Sequence, residues 1–339
     1  MKLFSGLAGR LLVLLIFLGL GAGLYILMQP PKTFPKKASN HKEDIPLFTS
    51  SGQCQACHPA LWNEWKKSHH AISYTNPEVR KLSSDFRQKE CQDCHLPRPI
   101  FETGLTKPPL PRQSRPDEGV DCLTCHMRPD GRILGVHTNP KAGCKPLAEP
   151  SLASVALCKT CHNQHKTTDQ WAASPFAKKG VSCNDCHMPK IEGKPGRRSH
   201  LVKGAHDLAT LKSAARLGVR LEKYKVLVEV ENKGAGHNLP TEERHRAVDV
   251  IYRILPADAR PQPWSPTFTR LYRFRQPYLG DPGPNTQLPS GQTWKGSFEI
   301  PKPLQAKGTR IQVRLLYHLT PFQKDKEGSL LYEIEKVLP

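Results

Sequence analysis

Cys54-Gln55-Ala56-Cys57-His58 opens a stretch that runs to His187, and its C-x-x-C-H pattern returns at Cys91–His95, Cys122–His126, Cys158–His162 and Cys183–His187. This is the spacing of covalent c-type haem attachment. Two thiols on one short helical turn add to the two vinyl groups of a porphyrin, and the following His sits beneath the iron. C-x-x-C alone also serves zinc ribbons and thioredoxin-like redox sites. His makes up only 15 of 339 residues, however, so its recurrence after all five pairs argues against both. Five covalently attached haem c groups are expected, on Cys54 and Cys57, Cys91 and Cys94, Cys122 and Cys125, Cys158 and Cys161, and Cys183 and Cys186. His58, His95, His126, His162 and His187 are the expected proximal ligands.

Ten of the eleven Cys are thereby consumed, which excludes a disulfide framework; Cys144 is left as a small buried or partly exposed thiol. With 37% hydrophobic residues and 32 Pro, the chain is lean for a protein-only core, and five macrocycles would supply the missing apolar mass. The formal charge of +20 resembles a nucleic-acid footprint. Yet haem propionates would offset roughly ten of those charges, and no basic–aromatic stretch accompanies them. The excess basic charge fits an acidic redox partner or anionic lipid instead.

Along the chain, residues 1–28 read as a cytoplasmic tip and anchor. Residues 11–28 are eighteen uncharged, mostly apolar residues, long for a signal-peptide core, and the apolar run resumes at Leu24 instead of ending in a cleavage site. An uncleaved single-pass transmembrane helix in the cytoplasmic (inner) membrane is expected. Because haem is attached outside the cytoplasm, the body lies on the periplasmic side. A Pro/Lys-rich linker over 29–50, with a solvated His41, leads to a haem domain over 51–218 of mostly α and irregular structure wrapped around stacked haems. Its Pro-rich run from Leu96 to Pro116 reads as an irregular loop.

From 219 to 339 the texture is β. Val226, Val228 and Val230 alternate with Leu227, Glu229 and Glu231, and the same period of two returns at Val248, Val250, Tyr252 and Ile254 and at Ile311, Val313, Leu315 and Tyr317, with shorter strands around Trp294–Ile300 and Leu330–Val337. No Cys follows Cys186, so this is a haem-free, sandwich-like all-β domain. Pro261–Pro289 reads as a long excursion from it.

Two internal echoes point to a duplicated haem-binding unit. Gly119-Val120-Asp121-Cys122 recurs as Gly180-Val181-Ser182-Cys183, each followed by C-H-M. Trp65-Lys66-Lys67-Ser68-His69-His70-Ala71 recurs as Trp171-Ala172-Ala173-Ser174-Pro175-Phe176-Ala177, with Phe176 in the place of His70.

A haem that only passes electrons has two strong axial ligands, whereas an open iron admits substrate. The candidate distal ligands are His70 (or its neighbour His69), His137, His165, His200, His206 and His237. His237 sits in the Gly-flanked turn Gly234–Thr241 beyond strand Val226–Glu231 and would ligate from the β domain. His245 has a weaker case, and His318 reads as solvated because it falls opposite Ile311, Val313 and Leu315. Six candidates for five irons suggest full bis-His ligation.

The C-x-A-C-H-P-A and W-x-x-S-H-H-A pair, the G-V-x-C-x-x-C-H-M repeats and the G-A-G-H-N-L-P-T turn resemble the multihaem cytochromes related to the tetrahaem electron acceptor of hydroxylamine oxidoreductase. The resemblance covers about residues 50–245. It implies electron transfer through closely stacked haems, with distal ligands at His70, His137, His165, His200 and His237. This chain departs from the pattern in having five motifs, Phe176 where such motifs often carry His, and Glu242 after Pro-Thr; His165 or His206 would replace the ligand lost at Phe176.

The expected function is a membrane-anchored electron carrier passing electrons along a haem chain between a membrane donor and a soluble or outer-membrane acceptor. A quinol dehydrogenase subunit feeding a periplasmic reductase is the alternative, with redox proteins or a quinol-oxidising complex as partners. Twenty-five residues separate Met28 from Cys54, which is far for a haem at the bilayer surface. A haem oxyanion reductase would need an open iron. No hydrolytic constellation and no nucleic-acid site is present, and carrier is favoured over catalyst.

Overall fold

The computed structural model divides into residues 1–44 and 45–339. The residues described are 47–265, 268–277, 281, 283–320 and 323–339, all in the second unit. The expected anchor at 11–28, the linker's first part and His41 lie outside them. Among the described residues no helix is long and apolar enough to cross a membrane.

Residues 51–214 hold helices of three to eight residues joined by turns. Their brevity follows from the motif, because each C-x-x-C-H needs only the turn that brings two thiols and a ring to one side. Asp121 caps helix Cys122–His126 by accepting from Thr124 N, and Ser182 and Asp185 form the reciprocal cap of helix Cys183–His187. The Leu96–Pro116 loop is tied by its own backbone. Arg98 N donates to Leu110 O, and Arg112 N to Leu96 O. Arg112, 5% exposed, spends its guanidinium on the carbonyls of Pro97, Ser114, Arg115 and Gly119.

The duplication is physical. Trp65 Nε1 donates to Val120 O (2.8 Å) and Trp171 Nε1 to Val181 O (2.9 Å). Val120 N donates to His70 O, and Val181 N to Phe176 O. Phe176 thus holds the backbone place of His70. Gly119 is required in the first copy, because a Cβ there would stand 2.4 Å from His70 O at a φ of +51°.

Strands β1 (Leu134–Gly135) and β2 (Leu147–Ala148) form a short parallel pair in the helical part, and the C-terminal part is two packed sheets. One has the order β3–β4–β7: Ala215–Glu222, Lys225–Asn232 and Thr293–Glu299. The other has the order β6–β5–β8–β9: Thr269–Arg275, Ala247–Leu255, Arg310–His318 and Ser329–Val337. All their pairings are antiparallel. Val226, Val228 and Val230 of β4 face Val248, Val250, Ile311, Val313 and Leu315 across one core, all fully buried. The mixed helical and β architecture follows the expected fold class.

Two strand readings change. The first strand of the C-terminal part, β3, begins at Ala215, ahead of residue 219 and directly after helix Leu208–Ala214, with nothing but its alternation to mark the switch. The Pro261–Pro289 excursion contains β6, whose Arg270, Arg273 and Arg275 disguise it; Arg270 and Arg273 pair with buried Asp249 on β5. The solvated reading of His318 is wrong. It is 1% exposed, with Asp249, Asp325 and Gly328 around its ring.

Candidate functional site

Five C-x-x-C-H turns and the rings around them line the helical part. Each proximal Nδ1 needs an acceptor that fixes the ring and leaves Nε2 free to ligate. His95 Nδ1 meets Ser73 O (2.9 Å), His126 Nδ1 meets Leu134 O (2.9 Å) and His187 Nδ1 meets Lys203 O (2.6 Å). His162 differs: its Nδ1 faces a carboxylate, Glu242 Oε2, at 3.5 Å.

Three rings from elsewhere in the chain stand opposite proximal ones. His70 and His162 have centroids 6.1 Å apart, His126 and His200 6.4 Å, and His187 and His237 6.3 Å. An iron held between two imidazoles by bonds of about 2.0 Å, with each ring centre roughly 1.1 Å behind its nitrogen, puts the centres about 6.2 Å apart. The residues present therefore fit a haem iron at three motifs. Haem bound there would supply a one-electron iron couple.

The other candidates are placed differently. His137 lies against Gly196. Arg197 beside it pairs with Glu64 (2.7 Å) on the helix that follows the first motif. His165 and His245 gather on Glu243, whose charge is also felt by His95 and Cys91 of the second motif. His206 stacks face to face on His69 at 3.5 Å, too close for one iron to sit between them. Among the described residues, no imidazole faces His58 or His95 at the axial spacing.

Burial disfavours the protonated form of His70, His126, His200 and His237. Desolvation, reinforced by neighbouring rings, takes His70 down to about 3, and desolvation against an Asn238 carbonyl bond takes His237 to about 4. His162 goes the other way: burial lowers it, but Glu242 more than compensates. Burial opposes charge on Glu242 too, yet His162 and Thr167 hold it at about 2.

The cysteines report how the motifs adjoin. Cys54 interacts with Cys122, Cys94 with Cys161, and Cys158 with Cys183, while Cys125 is felt by Cys158 and Cys161. The fourth motif thus neighbours the second, third and fifth. Sequence reasoning noted Glu242 only as a departure from a pattern; the signal for its role was its position five residues after His237.

Residues 53–127 match the family model described as cytochrome c554 and c-prime. Among solved structures, the chain is similar to a penta-heme cytochrome c552 from Thermochromatium tepidum, with a TM-score of 0.62 and 20% identity over 85% of this chain and 98% of that one. The chain carries a cytochrome c554-type segment within the fold of a multihaem c-type cytochrome.

Proposed function

We propose that the protein is a membrane-anchored pentahaem c-type cytochrome that carries electrons on the periplasmic side, related to the tetrahaem acceptor of hydroxylamine oxidoreductase. The observation that carries this is the set of three imidazole pairs at 6.1–6.4 Å, drawn from chain segments far apart in sequence. An iron closed on both faces is suited to electron transfer and closed to substrate. The chain's own work is to attach and to orient. Ten thiols attach the macrocycles, backbone carbonyls fix the rings of His95, His126 and His187, and burial of His70, His126, His200 and His237 opposes the proton that would compete for Nε2.

The test is intact mass together with spin state. Mature protein should exceed its polypeptide by five haem masses, and the irons at the third, fourth and fifth motifs should be low-spin. High-spin iron at those three would overturn the carrier reading. High-spin iron confined to the first or second motif, where among the described residues no imidazole faces His58 or His95 at the axial spacing, would favour the alternative of a reductase acting on small oxyanions.

A further inference from the structure

Glu242 occupies a costly position. Its φ is +70°, a left-handed conformation that a side chain beyond Cβ disfavours, and it directly follows Pro240-Thr241 at the end of the turn that delivers His237. The turn is held in that shape from the helical part. Thr167 Oγ1 donates to Glu242 Oε2 at 2.7 Å, Thr241 Oγ1 donates to Gln170 Oε1 at 2.6 Å, and the two threonine hydroxyl oxygens stand 2.9 Å apart. The result aims one carboxylate at His162 Nδ1, 3.5 Å away, where His95, His126 and His187 each have a neutral carbonyl. Arg246 is the nearby cation that balances the charge.

We infer that Glu242 is a positioning residue for the fourth haem site, where it draws the Nδ1 proton of His162 towards itself and so makes this axial imidazole the most electron-donating of the proximal set. A carboxylate in this place raises the basicity of a ligating His, and stronger donation favours Fe(III) over Fe(II). A haem held there by Cys158, Cys161 and His162 would supply a one-electron couple reduced by a redox partner, with the Nδ1 proton kept between His162 and Glu242. The placement matters because the fourth motif's cysteines adjoin those of the second, third and fifth. A lowered potential at this junction keeps electrons on the arms and makes the centre a point of passage.

The inference rests on the multihaem reading and can fail without it. The experiment is a potentiometric titration of the full-length holoprotein, followed by visible absorption and electron paramagnetic resonance, after haem content and spin state have been established. If those two fail in the wild type, the multihaem reading falls first. Otherwise Glu242→Gln, which keeps shape and replaces the anionic acceptor by a neutral one, should raise one couple by about tenfold or more in its reduction equilibrium, some 59 mV, and leave the others in place. Glu242→Asp, which retains the charge, should lie closer to wild type than Gln does. A role confined to holding the β domain would lower the melting temperature and leave every couple unchanged, and that result overturns the inference. Should Glu242→Gln fail to accumulate with full haem content, Thr167→Val takes its place. It removes the hydroxyl that pins the carboxylate; a shift in the same single couple supports the inference, and unchanged couples overturn it.

Discussion

His237 comes from the β part and meets a ring from the helical part, His187, at 6.3 Å and only 12° from parallel. Its turn can approach because Gly234 lies against Ser213 O, where a Cβ would come within 2.2 Å, and because Gly236 rests on Trp171 and Phe176. Phe176, the counterpart of His70, thus became a wall for the loop that brings the ligand. His237→Ala should leave the covalent haem count unchanged, since the cysteines of the fifth motif are untouched, but convert one iron to high-spin and shift one potential. An unaltered low-spin resonance spectrum in that variant would return His237 to an ordinary turn residue. The attachment residues were legible because their chemistry is local, five residues per haem. The pairing of rings was not. His70 follows the first motif by twelve residues, yet it faces His162 of the fourth, and only the folded chain makes that choice.

At the scale of elements, β5 shows why alternation misleads where both faces of a sheet are covered. Asp249 is fully buried in mid-strand, held by Arg273 through two 2.7 Å bonds and by Arg270 at 3.1 Å, with His318 Nε2 at 3.4 Å. Period two revealed the inner face, Ile311, Val313 and Leu315. It gave no sign that Trp264 and Phe268 pack on Ile251 and Leu316 of the outer one, or that Asp325 and Gly328 close over His318. Nor could it show that β6 exists to bring arginines to a buried carboxylate. Burial opposes charge on Asp249, but the hydrogen bonds from Arg273, with Arg270 and His318 close by, dominate and hold it at about 2, against an ordinary 3.8. A depressed carboxyl stabilises the fold fully above its unfolded value of about 3.9, and that contribution is lost as pH falls through about 2. The difference amounts to roughly 2–3 kcal/mol. Urea unfolding of the wild type should therefore weaken between pH 5 and pH 2. Asp249→Asn should be less stable at pH 5 and lack that part of the pH dependence. Parallel pH profiles for the two proteins would remove Asp249 from the account.

For the whole molecule, charge and anchor make separable claims. The polypeptide carries +20, and five haems with two propionates each would bring this to about +10. A body so charged is drawn to anionic lipid at low ionic strength even without a hydrophobic anchor. Salt distinguishes the two forces: the screening length falls from about 10 Å at 0.1 M to about 3 Å at 1 M, whereas burial of the eighteen apolar residues 11–28 is insensitive to it. Full-length protein should stay with membranes through both 1 M salt and a carbonate wash. A variant exported by a cleavable signal and beginning at Pro30 should bind anionic vesicles at low salt and leave them at 1 M. Full-length protein that leaves in carbonate, or mature protein that begins near Leu24, would mean that 11–28 acts as an export signal. In that case basic charge alone would hold the body at the membrane surface.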